Sequence, residues 1–159
     1  VITRATTVNS ASATPRALTV TASGGNVVLG GTVGATNALS SLAVAASDID
    51  LNGSAVTTTA SQTYTGPVTL GANTTLTGVG ITVDGTLMSD GTARSLSLVD
   101  SGSSTLVGAV GGGGAAGRAG AGRATGAGTT RFGLAAGAQA ASTPRASGEV
   151  QLSCPHFAR

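Results

Sequence analysis

The run DIDLNG holds the best candidates for a metal site, because Asp48, Asp50 and Asn52 place oxygen-bearing side chains at alternate positions. This is the first half of a calcium-loop pattern, in which such oxygens converge on the ion. The carboxylate required at the twelfth position is missing, because Thr59 stands there. The aliphatic residues between the three polar ones also fit a strand with one solvated face. The sequence therefore favours a solvated strand ending in an Asn-Gly turn, with weak surface calcium binding as the alternative.

Other groups able to do chemistry are few. The glycines at 111–114 are not followed by the Lys that a phosphate loop needs, since the chain has no Lys. Cys154 and His156, the sole Cys and His, stand near the end of the sequence without further ligands, so neither a zinc site nor a Ser-His-Asp arrangement is indicated. The Asp residues occur mainly singly or at turns rather than clustered for acid-base catalysis. We expect no enzymatic activity, no cofactor and no resident metal ion.

Basic residues are concentrated in the last third of the chain. Arg118, Arg123, Arg131 and Arg145 stand among Gly and Ala, where they could contact phosphates. Aromatic residues do not interleave with them, so bases would have nothing to stack on. We expect no specific nucleic-acid partner.

The elements that would position any site are short strands. Apolar residues alternate with polar ones in bursts of four or five residues, and Gly, Asn, Asp and Pro turn formers separate the bursts. The bursts are Leu18/Val20, Val27/Leu29, Leu42/Val44, Ile49/Leu51, Val68/Leu70, Ile81/Val83 and Leu96/Leu98. With 2% aromatic residues, the core must be filled by aliphatic side chains. The pattern predicts an all-β fold.

An internal repeat narrows the architecture. The stretch ALTVTASGGNVVLGGTVG at 17–34 returns at 95–111 as SLSLVDSGSSTLVGAVG, which sets Leu18 opposite Leu96. The two stretches begin 78 residues apart (17 and 95). We interpret these 78 residues as four coils of about 20 residues each, within the range of solenoid repeats. The prediction is a right-handed parallel β-helix (β-solenoid) of roughly five coils over residues 17–110, preceded by a polar, incomplete coil at 1–16. Both ends of such a stack would leave strands uncovered, so we expect the isolated chain to be partly ordered or to associate end to end.

Residues 111–159 differ from the rest. About half of them are Gly or Ala, and few are large and apolar, so the segment cannot offset the entropy of ordering its backbone. We predict a disordered, low-complexity Gly/Ala/Arg-rich tail, or one translated in a shifted reading frame. The flanking DNA would distinguish these two origins.

The phrases of the repeat segment carry a resemblance. The run GSAVTTTASQTYTGPVTLGANTTLTG at 53–78, together with ITVDGTL, SLSLVDSGSSTLVGAVGG and ALSSLAVAA, resembles the β-strand repeats of filamentous haemagglutinin-like and autotransporter-like bacterial surface proteins. The resemblance covers about residues 17–112. It implies a non-catalytic shaft segment of a large adhesin, secreted or displayed on the cell surface and active in cell adhesion.

The same resemblance implies the partners. These are neighbouring repeats of one long chain, an outer-membrane transporter during export, and a host-cell surface. The sequence itself shows no signal peptide and no transmembrane segment, so we interpret the chain as a fragment whose location is inherited from the resemblance.

A binding module is the alternative function. An exposed ladder of Thr and Asn side chains could contact glycans, a protein or ice. The candidates are Thr57, Thr58, Thr59, Thr63, Thr65, Thr74, Thr75 and Thr77. Carbohydrate sites usually need an aromatic platform, and Tyr64 is the one aromatic residue within the repeats.

Overall fold

The computed structural model describes residues 1–4, 6–11, 14–111, 123–125, 128–134, 141–144 and 150–153. Within these ranges the chain consists of strands and turns and contains no helix, which confirms the all-β prediction. The strands are β1 (Ile2–Arg4), β2 (Leu18–Leu29), β3 (Leu42–Leu51), β4 (Ala55–Thr57), β5 (Gln62–Thr65), β6 (Val68–Leu70), β7 (Thr74–Gly78), β8 (Ile81–Val83), β9 (Leu87–Ser89), β10 (Arg94–Asp100), β11 (Ser103–Leu106), β12 (Arg123–Thr125), β13 (Gly128–Leu134), β14 (Ala141–Pro144) and β15 (Val150–Ser153).

The chain winds through three faces in each coil. Face A consists of segments 18–22, 42–46, 62–65, 81–83 and 103–106; face B of 2–4, 26–29, 48–51, 68–70 and 87–89; face C of 55–57, 74–78 and 94–100. Strands β2 and β3 are long because each turns the corner from face A to face B. Each segment pairs in parallel with its equivalents in the adjacent coils. The parallel β-solenoid of about five turns is therefore confirmed.

In-register stacking forms columns of inward side chains. On face A one column runs Leu18, Leu42, Gln62 and Ile81, and its members are about 19 to 24 residues apart. On face B a column of the same kind is wholly aliphatic, with Val27, Ile49, Val68 and Leu87. The residues of all seven alternating bursts lie in strands and point into the core or pack against it. Stacked aliphatic columns thus replace the aromatic residues that the sequence lacks.

The sequence repeat does not match the coil register. Leu18 lies on face A and pairs with Leu42, whereas Leu96 lies on face C and pairs with Thr74. The similar phrases therefore start on different faces, and 78 residues are not a whole number of coils. The likeness between them reflects a shared strand-turn-strand pattern, which is local, while the register depends on how long each intervening coil is.

Glycines hold one corner of the solenoid together. Between faces A and B, Gly66, Gly85 and Gly108 occupy the same corner in successive coils. A Cβ atom on Gly108 would collide with the carbonyl group of Gly85, and one on Gly85 with that of Gly66. Gly66 also has a φ of 126°, which L side chains rarely adopt. The coils can approach to hydrogen-bonding distance here because no side chain stands between them.

The N-terminal end carries part of a further coil. β1 pairs in parallel with residues 27–29 on face B, and Val8 forms a parallel bridge with Val33 on face C. Within the described residues nothing lies against the outer edge of Leu18–Ala22 on face A. The N-terminal end is therefore covered on two faces and open on the third.

At the C-terminal end the strand direction reverses. β12 pairs antiparallel with β11, and β13 pairs antiparallel with β10. The expectation of uncovered strands is thus wrong for faces A and C at this end, because tail segments pair with them. On face B the last level is Val110, which forms a parallel bridge with Leu87, and no described strand lies beyond it. Apart from these strand segments and Gly111, residues of the predicted disordered tail lie outside the described part of the chain, and their disorder stays a prediction.

Replacing Gly85 by Ala tests the corner packing. We expect Gly85→Ala to lower the free energy of unfolding by about 1–3 kcal/mol, because the added methyl group meets the backbone of the adjacent coil. Gly25→Ala is the matched control, since its Cβ would make ordinary contacts of 3.7 and 3.8 Å. Urea unfolding followed by circular dichroism measures both, and equal stabilities for the two variants would contradict the packing argument.

Candidate functional site

The predicted calcium-binding residues lie on and just beyond one strand. Asp48 and Asp50 are outward on β3 at either side of the fully buried Ile49, and Asn52 is exposed just after the strand ends. Asn26 donates a side-chain hydrogen bond of 3.4 Å to Asp48. Burial, and secondly the charge of Asp48, raise the pKa of Asp50 above its usual value. The two carboxylates therefore repel each other.

This geometry does not make a calcium loop. A calcium ion takes six to eight oxygen ligands from a chain that curls around it, whereas Asp48 and Asp50 project from an extended strand about 6.6 Å apart along it. Thr59 is exposed in a later turn. Among the described residues no three His, Cys, Asp or Glu side chains lie close enough to hold a metal ion. The acidic pair is best described as a solvated strand surface.

The outward side of face A is a second candidate surface. One outward column consists of Thr19, Ala43, Thr63, Thr82 and Thr105. Beside it Thr21, Ala45 and Thr65 begin a parallel column. None of these eight side chains is charged or long, and Asp84 follows directly where β8 ends. The face is an array of hydroxyl and methyl groups repeating every coil.

The predicted Thr ladder divides into exposed and buried members. Thr57, Thr75 and Thr77 point outward on face C, as Thr63 and Thr65 do on face A. Thr58 and Thr74 are 5% and 2% exposed. Each hydroxyl group donates to a nearby carbonyl and to a carbonyl of the adjacent coil, that of Thr77 at 3.5 Å and that of Gly53 at 3.3 Å. These two side chains therefore hold the coils together and are not part of a surface ladder.

Tyr64 is also inside the solenoid. It is 0% exposed, and its hydroxyl donates to the Gln62 side-chain oxygen at 2.9 Å. Burial raises the pKa of the Tyr64 hydroxyl far above its usual value, so it stays protonated. An aromatic platform for glycans is consequently absent from the surface of the described repeats.

Gln62 is the centre of a buried polar cluster at the corner between faces C and A. Its amide nitrogen donates to the carbonyl of Thr77 at 2.8 Å, and at 3.3 Å to the carbonyl of Val56 and the hydroxyl of Thr58. Gly78 makes room for the cluster, because a Cβ there would meet Thr58 and Gln62. Within the described residues no buried side-chain nitrogen or oxygen lacks a partner. The cluster therefore has no free group to offer a ligand.

A carboxylate occupies the same corner two coils later. Asp100 is 5% exposed and accepts hydrogen bonds from Gly80 N (2.8 Å), Ile81 N (3.3 Å), Gly102 N (2.7 Å) and the Ser104 hydroxyl (2.5 Å). Burial by itself would raise the pKa of Asp100, but the Ser104 hydroxyl and the backbone N–H groups outweigh it, and the pKa lies below its usual value. Asp100 is thus a saturated structural anion.

Corner length explains where these polar groups occur. Gln62 follows Thr58 by four residues and Ser104 follows Asp100 by four. In the intervening coil Ile81 follows Gly78 by only three residues. The longer corners carry additional backbone groups, and a polar pair satisfies them. The sequence contains a weak signal of these longer corners, because Gln62 and Ser104 are polar residues at inward positions that are otherwise aliphatic on face A.

Replacing Asp100 by Asn tests its role. We expect Asp100→Asn to lower the free energy of unfolding at pH 7 by about 1–3 kcal/mol, because an amide nitrogen would face N–H donors. Because the folded pKa is depressed, the carboxylate stabilises the protein fully above about pH 4 and progressively less as the pH falls through the folded pKa.

The control for this experiment is Asp84→Asn, at an exposed carboxylate in another corner. Chemical unfolding at a series of pH values should show a gap between the Asp100 variant and the parent that closes in acid. A gap that is the same at every pH, or one that the Asp84 variant shares, would refute the buried-anion assignment.

The remaining candidates lie in the tail. Arg123 and Arg131 fall within β12 and β13. Arg118, Arg145, Cys154 and His156 lie outside the described residues, as do three of the four consecutive glycines. The predictions made for those residues stay predictions.

Comparisons with known proteins identify no relative of this chain. The chain matches no protein-family model, no curated protein and no solved structure. The part of the chain that the structure describes holds no helix able to cross a membrane.

Proposed function

We propose that residues 17–110 form a shaft segment of a large bacterial adhesin, secreted or displayed at the cell surface, with no catalytic role. The observation that best supports the proposal is that the buried polar groups are used in hydrogen bonds within the solenoid, many of them between adjacent coils. Gln62, Tyr64, Asp100 and Ser104 are all buried and hydrogen-bonded to one another or to neighbouring coils. The outward side of face A carries a repetitive array of small Thr and Ala side chains.

Stacked coils suit the mechanical task of a shaft. Each coil adds about 4.8 Å to the length of the stack, and its backbone hydrogen bonds run along the long axis. Elongation then requires only more coils of the same kind, since each coil contacts only its neighbours. The partners of such a segment are neighbouring repeats of its own chain.

Location and attachment rest on the resemblance of residues 17–112 to filamentous haemagglutinin-like and autotransporter-like repeats. On that basis the chain is exported through an outer-membrane transporter and faces a host-cell surface. The solenoid is compatible with this use, because a parallel stack can form coil by coil as the chain emerges.

Surface labelling tests this function. An antibody raised against the purified chain should label intact cells of the source bacterium, and external protease should remove the label while a cytoplasmic marker persists. Permeabilised cells serve as the control for total antigen. Labelling that appears only after permeabilisation would overturn the proposal.

A second candidate function is ice binding by face A. The observation that favours it is the uncharged array of Thr and Ala, repeated about every 4.8 Å between coils and about every 6.6 Å along each strand. Regularly spaced hydroxyl and methyl groups on a flat, rigid sheet can order water at those spacings. Because Tyr64 is buried, the array has no aromatic group and suits ordered water better than a sugar ring.

Thermal hysteresis tests the second candidate. The chain should depress the freezing point of ice below the melting point, and Thr63→Lys should abolish the effect by placing a long charge in the middle of the array. Thr69→Lys is the matched control, because Thr69 is outward on face B. Hysteresis no greater than that of buffer, or equal loss in both variants, would remove ice binding and leave the shaft proposal untouched.

A further inference from the structure

Two Asn residues of the chain stand in the pattern Asn-X-Ser/Thr, in which X is not Pro. Asn52 begins Asn-Gly-Ser at 52–54, and Asn73 begins Asn-Thr-Thr at 73–75. This pattern is the acceptor motif for N-linked glycosylation, which occurs on surface loops. The other three Asn residues are followed two positions later by Ala, Val or Leu, and they are Asn9, Asn26 and Asn37. The sequence therefore holds two candidate acceptors.

Both candidates lie at the corner between faces B and C, in consecutive coils. Asn52 follows directly after β3, and Asn73 comes directly before β7. Both side chains are exposed. This corner is opposite face A, so a bulky group attached here would stand clear of the core and of the Thr and Ala array.

The Asn73 side chain is oriented by its oxygen, which leaves its nitrogen available. Its Oδ1 accepts a hydrogen bond of 2.9 Å from the backbone N–H of Ser95, in the next coil. Because the partner is a donor, the oxygen and not the nitrogen must face it. Among the described residues no hydrogen bond involves Nδ2 of Asn73. A sugar on Nδ2 would keep the bond to Ser95, since the amide oxygen is unchanged.

Asn52 is held in a similar way. Its Oδ1 lies against Gly71 of the next coil, where a Cβ atom would collide with it. The missing side chain of Gly71 thus makes room for the Asn52 amide. Asn26 shows the contrast: it lacks the motif, and its side-chain nitrogen donates to Asp48.

We propose that Asn52 and Asn73 are N-glycosylation sites, which take a sugar activated as a diphosphate ester. In the reaction Nδ2 bonds to the anomeric carbon of the sugar, and the bond from that carbon to the phosphate oxygen breaks. The diphosphate leaves with the electron pair, and Nδ2 gives up one proton to a base of the transferring enzyme. The attached sugars add hydrated bulk along one corner of the shaft, a property beyond the shaft function itself.

Mass spectrometry of the full chain tests the proposal, with protein purified from whole cultures of the source bacterium, cells and medium together. The parent should be heavier than its amino-acid sequence by one sugar increment at each Asn. Thr75→Ala should lose the increment at Asn73, whereas Thr75→Ser should keep it because the hydroxyl group of the motif remains. Thr77→Ala is the matched control, since Thr77 is the next outward residue of β7 and lies outside the motif.

Ser54→Ala is the corresponding variant for Asn52 and should lose the other increment. The size of each increment distinguishes a single sugar from a nucleotide carrier from an oligosaccharide transferred from a lipid carrier. A parent mass equal to that of the amino-acid sequence overturns the proposal, as does an increment that persists when Ser54→Ala and Thr75→Ala are combined. Because the whole culture is sampled, the result does not depend on where the chain is displayed, so this proposal and the shaft function fail separately.

Discussion

The structure depends on in-register backbone hydrogen bonding between consecutive coils. Parallel strands about 4.8 Å apart fix the position of every residue relative to its equivalents above and below. An inward residue must therefore fit a column, and a corner residue must leave space for the next coil. Two features of the sequence satisfy this constraint. Inward positions hold aliphatic columns such as Val27, Ile49 and Val68, and one corner holds glycines at 66, 85 and 108. A solenoid with so few aromatic residues holds together because methyl groups meet methyl groups in each layer.

Polar residues enter the interior where the corner length changes. At the longer corners Thr58 with Gln62, and Asp100 with Ser104, satisfy the groups that the extra residue brings. In the coil between them the position next to the first pair is Gly78, where a Cβ atom would collide with Thr58 and crowd Gln62. The interior is thus specified by a few hydrogen-bonded groups as well as by hydrophobic stacking, and such groups help to fix one register among several similar ones. Residues that could be mistaken for a site, Tyr64 above all, belong to this internal framework.

The two ends of the stack are covered in different ways, one by reversed strands and the other by part of a further coil. A shaft needs coils that continue, while a separate chain needs edges that do not pair with neighbours. The reversed strands β12 and β13 cover two faces at one end, and the partial coil of β1 and Val8 covers two faces at the other. Among the described residues Leu18–Ala22 on face A has no partner strand on its outer side, and this edge lies at the end of the Thr and Ala array. Any contact made by this edge would therefore extend the array.

Local sequence patterns are enough to predict the strand content and the parallel coil architecture. Period-two bursts such as Ile49/Leu51 indicate which side of a strand faces inward, and the turn residues between the bursts indicate where the chain bends. Both are local properties, so they can be read from neighbouring residues. The sequence also indicated that Asp48 and Asp50 share an outward face.

The register, the burial of Tyr64 and the pairing of the tail strands depend on contacts between residues far apart in the chain. Leu18 and Leu96 stand in similar phrases yet on different faces, because the face that a residue reaches depends on the summed lengths of all the coils before it. Tyr64 and Gln62 are buried because each alternates into a column set by other coils, and neither residue type signals that. The antiparallel cover of β10 by β13 arises from edge groups that need partners after the last coil, a requirement that exists only once the coils have stacked.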